Sequence, residues 1–375
     1  MSRIKIDALT SVHIGSGETL QYATDFVGVT VGDDDFISIV EPRKVLELIG
    51  EEHIPNWLSA IERKDSVKKI ISQFAPKAKP EDYSKRLIVN WANVKSTDTL
   101  KEHIHDGMGK PYIPGSSIKG AIRTAVLATL ANKRSGLDAK VKDFKGKINA
   151  NTIESELLGK DPNSDIFRFL QVGDAIFGDN YEVAIRMVNI NERPKKGFWD
   201  ESKQQLIEAI SPEDSAEFQM KLNPEYYTFA KANWPRLQKT SSIGELPTEM
   251  KSMAPLFQLI NQHTKSLIES EIEYWQDKKD EDESESVTTY IEKMSAILNV
   301  VKSCKNGKEC VLRLGHGSGW RFITGAWTEN FDNFYSVVVP ASRPKNTYYQ
   351  DFDFPKSRRV DDQCELLGFV KLTEL

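Results

Sequence analysis

Residues 111–134 read PYIPGSSIKGAIRTAVLATLANKR, and they carry four basic side chains and no acidic one in a chain of net charge −5. Lys119 falls in the first turn of a predicted helix, against the positive end of the helix dipole. Arg123 lies four residues later on the same face. Each placement costs roughly 0.3–0.5 kcal/mol of stability. Because both costs change sign when an anion binds, the stretch predicts a phosphate-binding site.

The residues around these two cations would shape that site. Pro111 and Pro114 hold the approach extended, because proline fixes its own φ and disfavours helix in the residue before it. Gly115 allows a sharp turn, after which Ser116 or Ser117 can cap the helix. Backbone N–H groups, two hydroxyls and two cations would then converge. A basic helix end exposed to water explains the same residues, and both interpretations stay open at this point.

Two further sequence patterns help to distinguish which phosphate-containing ligand the site would bind. GSSIKG matches the first six positions of a P-loop, but Ala121 stands where the lysine should follow, so nucleotide hydrolysis is not expected. GHGSGW, at residues 315–320, follows a strand-like run but lacks the helix that a dinucleotide fold needs. Its glycines favour a tight turn or a close approach to a ligand backbone. A polymer of phosphates explains more of these features than a single nucleotide does.

Histidines are candidate catalysts of metal-free RNA cleavage, which needs a base for the 2′-OH and an acid for the leaving oxygen. HIHDG places His103, His105 and Asp106 shortly before the phosphate-binding stretch. Two histidines separated by two positions share one face of a strand without implying any activity. No HExxH pattern is present, and neither a metal nor a cofactor is expected.

Length and composition describe the class of protein. With 375 residues, 39% hydrophobic and 28% charged, the chain is expected to be globular, with two domains of ordinary size. It lacks a long apolar run and a secretory signal, and its three cysteines form no disulfide framework, so we expect a cytoplasmic protein. Residues 268–286 contain nine acidic and two basic residues. The remainder is close to neutral and can hold a local basic surface.

Strand-like and helix-like patterns occur in both halves of the chain. IKIDALTSVHIGSG reads as a strand entering a loop, DFVGVTVGDDDFISIV as a hairpin and PRKVLELIG as a short helix. FRFLQVGDAIF, YEVAIRMVNI, SAEFQMKL, VLRLGHGSGW, RFITGAW and ELLGFVKL are strand-like, with helices predicted near 248–278 and 287–302. We predict an α+β protein with two related sheet-and-helix units, at residues 1–197 and 198–375.

PYIPGSSIKGAIRTAVL resembles the signature of the RAMP superfamily, the RNA-binding subunits of CRISPR effector complexes. TSVHIGSGE, FLQVGDAIF, LGHGSGW and FPKSRRV followed by LLGFVKL resemble further family elements in the same order, over nearly the whole chain. The resemblance implies two modified RRM-like (ferredoxin-like) domains with helical insertions. Within the superfamily, the order looks most like the subunit that caps the 3′ end of the guide RNA in type III-A (Csm) complexes.

The resemblance implies a non-catalytic subunit for crRNA maturation and antiviral defence, which binds single-stranded crRNA by its backbone. Its expected partners are a neighbouring RAMP backbone subunit, a small helical subunit and RNA-trimming nucleases, with no membrane. The alternative is a metal-independent repeat-processing endoribonuclease of the same superfamily. Carried over by motif, the residues expected to face RNA are His13, Gly15, Gly17, Gly115, Ser116, Ser117, Lys119, Arg123, Gly315, His316, Gly317, Ser318, Gly319, Trp320, Lys356, Arg358 and Arg359.

Overall fold

The computed structural model describes residues 1–63, 65–138, 150–178, 182–192, 197–237, 243–281, 285–323, 325–342 and 354–375. The strands are β1 (Ser2–Ala8), β2 (Gly15–Gln21), β3 (Phe26–Val31), β4 (Asp34–Val40), β5 (Ser84–Asn90), β6 (Thr99–His103), β7 (Tyr112–Ile113), β8 (Leu170–Val172), β9 (Ala175–Ile176), β10 (Val183–Asn191), β11 (Trp199–Ala209), β12 (Ser215–Leu222), β13 (Glu309–Arg313), β14 (Ser357–Asp361) and β15 (Phe369–Glu374). The α-helices are α1 (Pro42–Ile49), α2 (Ile54–Glu62), α3 (Val67–Phe74), α4 (Pro80–Tyr83), α5 (Gly115–Asn132), α6 (Ala150–Leu158), α7 (Pro224–Leu237), α8 (Met253–Glu281), α9 (Glu285–Ser303) and α10 (Val339–Ser342).

The first sheet is antiparallel and has the strand order β13–β15–β1–β12–β8. Its central strand β1 alternates as the sequence predicts, since Ile4 and Ile6 are fully buried between more exposed polar neighbours. Ile118 and Ile122 of α5 belong to the same hydrophobic core, so this helix covers one face of the sheet. The apolar spacing of α5 therefore fixes which of its sides turns away from the sheet.

The second sheet has the strand order β2–β6–β11–β10–β5–β4–β3, and β14 also pairs with β10. The predicted hairpin is confirmed as β3 and β4, where Val31 pairs with Asp34 and Gly32 has the left-handed φ of 64°. The predicted short helix is confirmed as α1, which ends at Gly50 with φ 86°. Helices α1, α2 and α3 bury their apolar sides together with β3 and β4 in a separate core.

Both sheets contain strands that precede residue 197 in the sequence and strands that follow it. In the first sheet, β1 lies between β12 and β15, and in the second sheet β10 pairs with β11. The boundary predicted at residues 197 and 198 therefore does not separate one sheet from the other. The predicted turn at residues 194–197 falls mostly on residues 193–196, which lie outside the described residues.

RFITGAW does not form the predicted strand. Around it the chain makes two short 3-10 helices, Trp320–Phe322 and Ala326–Asn330. Gly325 between them has φ 102°, a conformation that strands do not contain. FRFLQV is a strand only in part, because Ile166–Phe169 is a 3-10 helix and β8 begins at Leu170.

A buried ion cluster joins α8 to the C-terminal part of the chain. The carboxylate of Glu271, which is 1% exposed, accepts hydrogen bonds from Arg358 at 2.5 Å and from Arg321 at 2.7 Å. The Tyr290 hydroxyl donates to the same carboxylate at 3.1 Å. Burial would raise the pKa of Glu271, but the two guanidinium groups outweigh it and lower the pKa to about 2.

In the described part of the chain, no helix is both long enough and apolar enough to cross a membrane.

Candidate nucleic-acid interface

Two glycine-containing loops that are far apart in the sequence meet in the structure. The loop after β1 contains His13, and the loop after β13 begins with Gly315. The His316 N–H donates a hydrogen bond to the His13 carbonyl oxygen at 2.9 Å. Gly315 has φ 82°, and a Cβ atom there would lie 2.6 Å from that same oxygen. Only glycine fits this junction, so the glycine of LGHGSGW serves the contact between the two loops.

Four histidine rings form a row that begins at this junction. The ring centroids of His316 and His13 are 5.7 Å apart, those of His13 and His103 6.0 Å, and those of His103 and His105 5.9 Å. The His13 Nδ1 donates to the Glu208 carbonyl oxygen at 2.5 Å. Burial lowers the pKa of His13 to about 4 and that of His103 well below its ordinary value. Both rings are therefore uncharged at neutral pH.

The hydrogen bonds of His103 fix its tautomer. Its Nδ1 accepts the Ile14 N–H at 3.1 Å, so its Nε2 carries the proton and donates to the Tyr112 carbonyl oxygen at 3.2 Å. Tyr112 lies in the PYIPGSS segment, and Ile14 follows His13. The histidine row therefore connects the β1 loop to the start of the predicted phosphate-binding stretch.

His316, at the outer end of the row, is exposed and lies among polar and cationic side chains. Its Nε2 is 3.1 Å from the Gln205 Oε1. Partial burial of its ring lowers the pKa of His316, and the nearby charges of Lys101 and Arg359 lower it further. We call His316, Gln205, Lys101 and Arg359 the His316 patch. Within the described residues Lys101 has no ion pair or side-chain hydrogen bond, so its charge is available to an anion.

At the inner end of the histidine row, His105 lies against a group of carboxylates. Arg86 binds both oxygens of Glu208, at 2.7 and 2.8 Å, and reaches Glu102 at 3.0 Å. His105 Nε2 lies 2.8 Å from Glu182. Glu102, His105 and Glu208 hold ligand atoms within 4.8 Å of one another, a spacing that a metal ion could use. The Arg86 guanidinium already binds both carboxylates of this group, and a metal ion there would have to displace it.

The N-terminus of α5 differs from the predicted phosphate cradle. The helix begins at Gly115 with Pro114 as its N-cap, and neither serine caps it. The Gly115 N–H donates at 2.7 Å to the carboxylate of Asp174, which supplies the negative charge that the first turn lacks. A Cβ on Gly115 would lie 2.3 Å from the Val172 carbonyl oxygen, so close packing explains this glycine. The prediction of a serine cap is wrong, and the Gly115 N–H at this end is not free.

The two cations of α5 have different surroundings. Arg123 donates to Asp165 at 2.7 Å and to Glu154 at 3.4 Å, and its guanidinium lies 5.3 Å from the centre of the Phe167 ring. Its charge is therefore used inside the protein. Burial lowers the pKa of Lys119, and this side chain makes no ion pair or hydrogen bond within the described residues. Lys119 is the cation of this helix that remains free to contact a ligand.

The remaining candidates divide between surface and interior. Ser116 and Gly17 are exposed, whereas Ser318 is 6% exposed. Trp320 packs its ring against Phe334 and Phe354, with ring centroids 5.7 and 5.0 Å away. That packing leaves less of the indole free to stack on a base than an exposed tryptophan would offer.

KSRR forms most of β14, where neighbouring side chains point to opposite sides. Arg358 is 5% exposed and binds Glu271, so the structure turns it inward and corrects the expectation that it faces RNA. Arg359 lies on the other side, in the His316 patch, and its Nη1 donates to the Lys203 carbonyl oxygen at 3.2 Å. Lys356, just before the strand, is partly exposed.

The comparisons with known proteins agree with this fold. The sequence profile of the RAMP superfamily matches residues 5–320. The chain belongs to the RAMP superfamily, and its membership agrees with the predicted α+β class and ferredoxin-like domains.

Two curated relatives are similar over part of the chain. One is the "CRISPR system Cms protein Csm5" of Methanocaldococcus jannaschii, 25% identical over 203 residues, which are 52% of this chain and 47% of the relative. An uncharacterized protein of Aquifex aeolicus is 25% identical over 120 residues, 31% of this chain and 48% of the relative. The chain thus matches about half the length of each relative.

Two solved structures share the fold along their whole length. A chain in the cryo-EM structure of a Csm–crRNA–target RNA ternary complex of a type III-A CRISPR-Cas system has a TM-score of 0.68 at 21% identity, covering 99% of this chain and 100% of that one. The crystal structure of T. onnurineus Csm5 has a TM-score of 0.65 at 18% identity, covering 98% of this chain and 99% of that one.

Proposed function

We propose that this protein is an RNA-binding subunit of a type III-A (Csm) CRISPR effector complex, where it caps the 3′ end of the crRNA. Two findings support this proposal. A relative bears the name Csm5, and a chain of the same fold belongs to a complex that contains crRNA and target RNA. The expected place of action is the cytoplasm, in antiviral defence and crRNA maturation.

The observation that carries the proposal is the junction of His13 with Gly315 and His316. It brings the β1 loop and the LGHGSGW loop together, and it places His316 beside Lys101 and Arg359. Cations, an imidazole and exposed backbone bind phosphates and sugars without reading the base sequence. Such a surface suits a guide RNA whose sequence changes from one spacer to the next.

The proposed RNA contacts follow from exposure and from position around His316 and the start of α5. The primary contacts are in the His316 patch and its loops: Gly15, Gly17, Gly315, His316, Gly317, Gly319, Lys356, Arg359, Lys101 and Gln205. His13 and Ser318 are buried beneath these loops and support them. Ser116, Ser117 and Lys119 form a second contact region at the start of α5. Arg123 is left out because it binds Asp165 and Glu154. Trp320 is left out because its ring packs against Phe354 inside the protein.

We propose a non-catalytic role. A histidine that acts as a general acid must be protonated near neutral pH, whereas burial keeps His13 and His103 uncharged. His105 is held by Glu182, away from the His316 patch. These three histidines join and position loops, and this structural role accounts for their presence without any RNA cleavage. The proposed protein partners are a neighbouring RAMP backbone subunit, a small helical subunit and nucleases that trim the crRNA.

The purified chain should bind single-stranded RNAs of equal length and unrelated sequence with affinities within about tenfold of one another, because backbone contacts do not read bases. Fluorescence anisotropy at fixed salt measures these affinities. The same incubations, performed with repeat RNA in EDTA, should return intact RNA. A thousandfold preference for one repeat sequence, together with a 2′,3′-cyclic phosphate product, would establish the processing endoribonuclease instead.

A further inference from the structure

A pocket of about 400 Å³ opens at the side of the second sheet, close to the His316 patch. Its walls come from the loop after β1, the residue after β5, the first half of β10, the turn between β11 and β12, and the turn after β14. Leu9, Ile185 and Leu366 make its apolar part. A pocket of this size with apolar walls and a few polar groups is the usual form of a small-ligand site.

Two nearly buried polar side chains line the pocket with unused hydrogen-bonding capacity. Ser11 is 5% exposed, and its hydroxyl has no partner within the described residues. Asp361 is 6% exposed, and one of its carboxylate oxygens accepts the N–H groups of Gln363 at 2.9 Å and Glu365 at 2.7 Å. The other oxygen has no partner in the described part. The pocket thus offers a hydroxyl that donates or accepts and a carboxylate that accepts.

Trp91 supplies a flat aromatic surface at the mouth of the pocket. Its backbone is fixed, since its N–H donates to the Ala184 carbonyl oxygen at 3.0 Å. Its side chain is nevertheless 51% exposed, which is unusual for tryptophan and leaves the indole free to stack. A base that stacks on an aromatic side chain gains affinity whatever its identity, because every base has a π-face.

The pocket lies next to the proposed path of the RNA backbone. Ile185, in its wall, is two residues from Met187 on the same face of β10. A Cβ on Gly317 would lie 3.2 Å from the Met187 sulfur, so the LGHGSGW loop sits directly beside this part of the strand. A nucleotide whose phosphate lies on the His316 patch can therefore direct its base toward Trp91.

The lining argues against a phosphate, and the adjacent RNA path favours a base over a basic side chain. No cationic side chain is among the described residues that line the pocket, and Asp361 and Asp362 would repel a phosphate. A guanidinium or ammonium group could also donate to Asp361 and Ser11, so the choice of a base rests on the neighbouring RNA path and on the exposed Trp91 ring. The Watson–Crick edge of a base carries donors and acceptors side by side, which Asp361 and Ser11 can match.

We propose that this pocket binds one unpaired nucleobase of the RNA, stacked on Trp91 and hydrogen-bonded at its edge by Asp361 and Ser11. The inference rests on the proposed RNA-binding function and adds a base subsite to a surface that otherwise contacts backbone. One position of the bound RNA is then extruded from the path of its neighbours. Its identity changes affinity only modestly, since stacking provides most of the contact.

The experiment uses the full chain and a set of oligouridines that carry a single 2-aminopurine or a single abasic site at each position in turn. For the wild type, 2-aminopurine fluorescence should be quenched at one internal position, and an abasic site there should weaken binding about tenfold. In Trp91→Ala, both effects should disappear at that position and no other. Asp361→Asn keeps an oxygen for the two backbone N–H groups, so the quench should remain while affinity falls. Tyr226→Ala, at a 53% exposed aromatic outside the pocket, is the matched control.

The outcomes separate this inference from the function on which it rests. RNA binding by the wild type with no position that responds to Trp91→Ala overturns the base subsite and leaves the proposed function intact. Failure of the wild type to bind any of the RNAs overturns both. Retention of RNA binding together with saturable binding of arginine amide, lost in Asp361→Asn, would show a site for a basic side chain and contradict the base subsite.

Discussion

Glu271→Gln should lower the free energy of unfolding by about 3–5 kcal/mol, which is the usual cost of removing one partner of a buried ion pair. The substitution keeps the shape of the side chain but leaves Arg358 and Arg321 buried opposite a neutral amide. Arg358 lies beside Arg359 in β14, and Arg321 follows the LGHGSGW loop. The variant should therefore also loosen the His316 patch and weaken RNA binding. Urea unfolding followed by circular dichroism measures the stability.

Glu273→Gln on the same helix is the matched control, because Glu273 is exposed and should change stability by less than about 0.5 kcal/mol. The pH dependence gives a second criterion. Since the pKa of Glu271 is lowered from 4.5 to about 2, its stabilising contribution is complete above pH 4.5 and is lost as the pH falls toward 2. Wild type and Glu271→Gln should therefore converge in stability in that window. Equal stability at neutral pH would show that the cluster contributes nothing.

Lys101→Ala combined with Arg359→Ala should weaken binding of single-stranded RNA about tenfold at roughly 0.1 M salt. If each cation neutralises one phosphate, the slope of log K against log salt should fall in magnitude by about 1.4. Both side chains lie beside His316, and neither has an ion pair within the described residues, so the fold should tolerate their loss. Anisotropy titrations at several salt concentrations measure affinity and slope together.

Arg63→Ala combined with Lys69→Ala removes the same two charges from exposed positions, one directly after α2 and the other in α3. That control should keep both the affinity and the salt slope of the wild type. An unchanged salt slope in a well-folded Lys101→Ala, Arg359→Ala variant would place the RNA on another surface. The region around Lys119 would then be the next to test.

Local patterns in the sequence predicted most elements of the fold. The alternation in IKID gave a strand, the Gly32 turn gave the β3–β4 hairpin, and Pro42 and Gly50 bounded α1. Strand pairing could not be predicted in this way. β1 pairs with β15 across almost the whole chain, and such long-range contacts leave no local signal. For the same reason a boundary near residue 197 did not separate the sheets.

The same limit applies to the candidate site, where local patterns could be predicted and long-range contacts could not. Glycine patterns drew attention to both loops at the His13–Gly315 junction, but their contact depends on how the first sheet brings β1 and β13 together. In KSRR, alternation requires Arg358 and Arg359 to face opposite sides. Which of them faces inward depends on Glu271 of α8, a buried residue that no local pattern in KSRR reveals.

Some functional candidates had no motif to reveal them. Asp174 takes the position that the serines of GSSIKG were expected to fill, although only the folded chain brings it to Gly115. Lys101 and Gln205 lie on neighbouring strands of the second sheet and meet His316 from a third segment. A surface built from three distant segments carries no spacing that a single sequence can display.

The central claim is that the 3′ part of the crRNA lies across the His316 patch of this chain. Photo-crosslinking tests it most directly, with the chain reconstituted into the proposed Csm complex around a crRNA that carries 4-thiouridine near the 3′ end or near the 5′ end. Mass spectrometry of the crosslinked peptides should place the 3′ probe on segments that contain Lys101, His316 or Arg359, and the 5′ probe on other subunits. Crosslinks from the 5′ probe to this chain, or from the 3′ probe only to α8 and α9, would contradict the account.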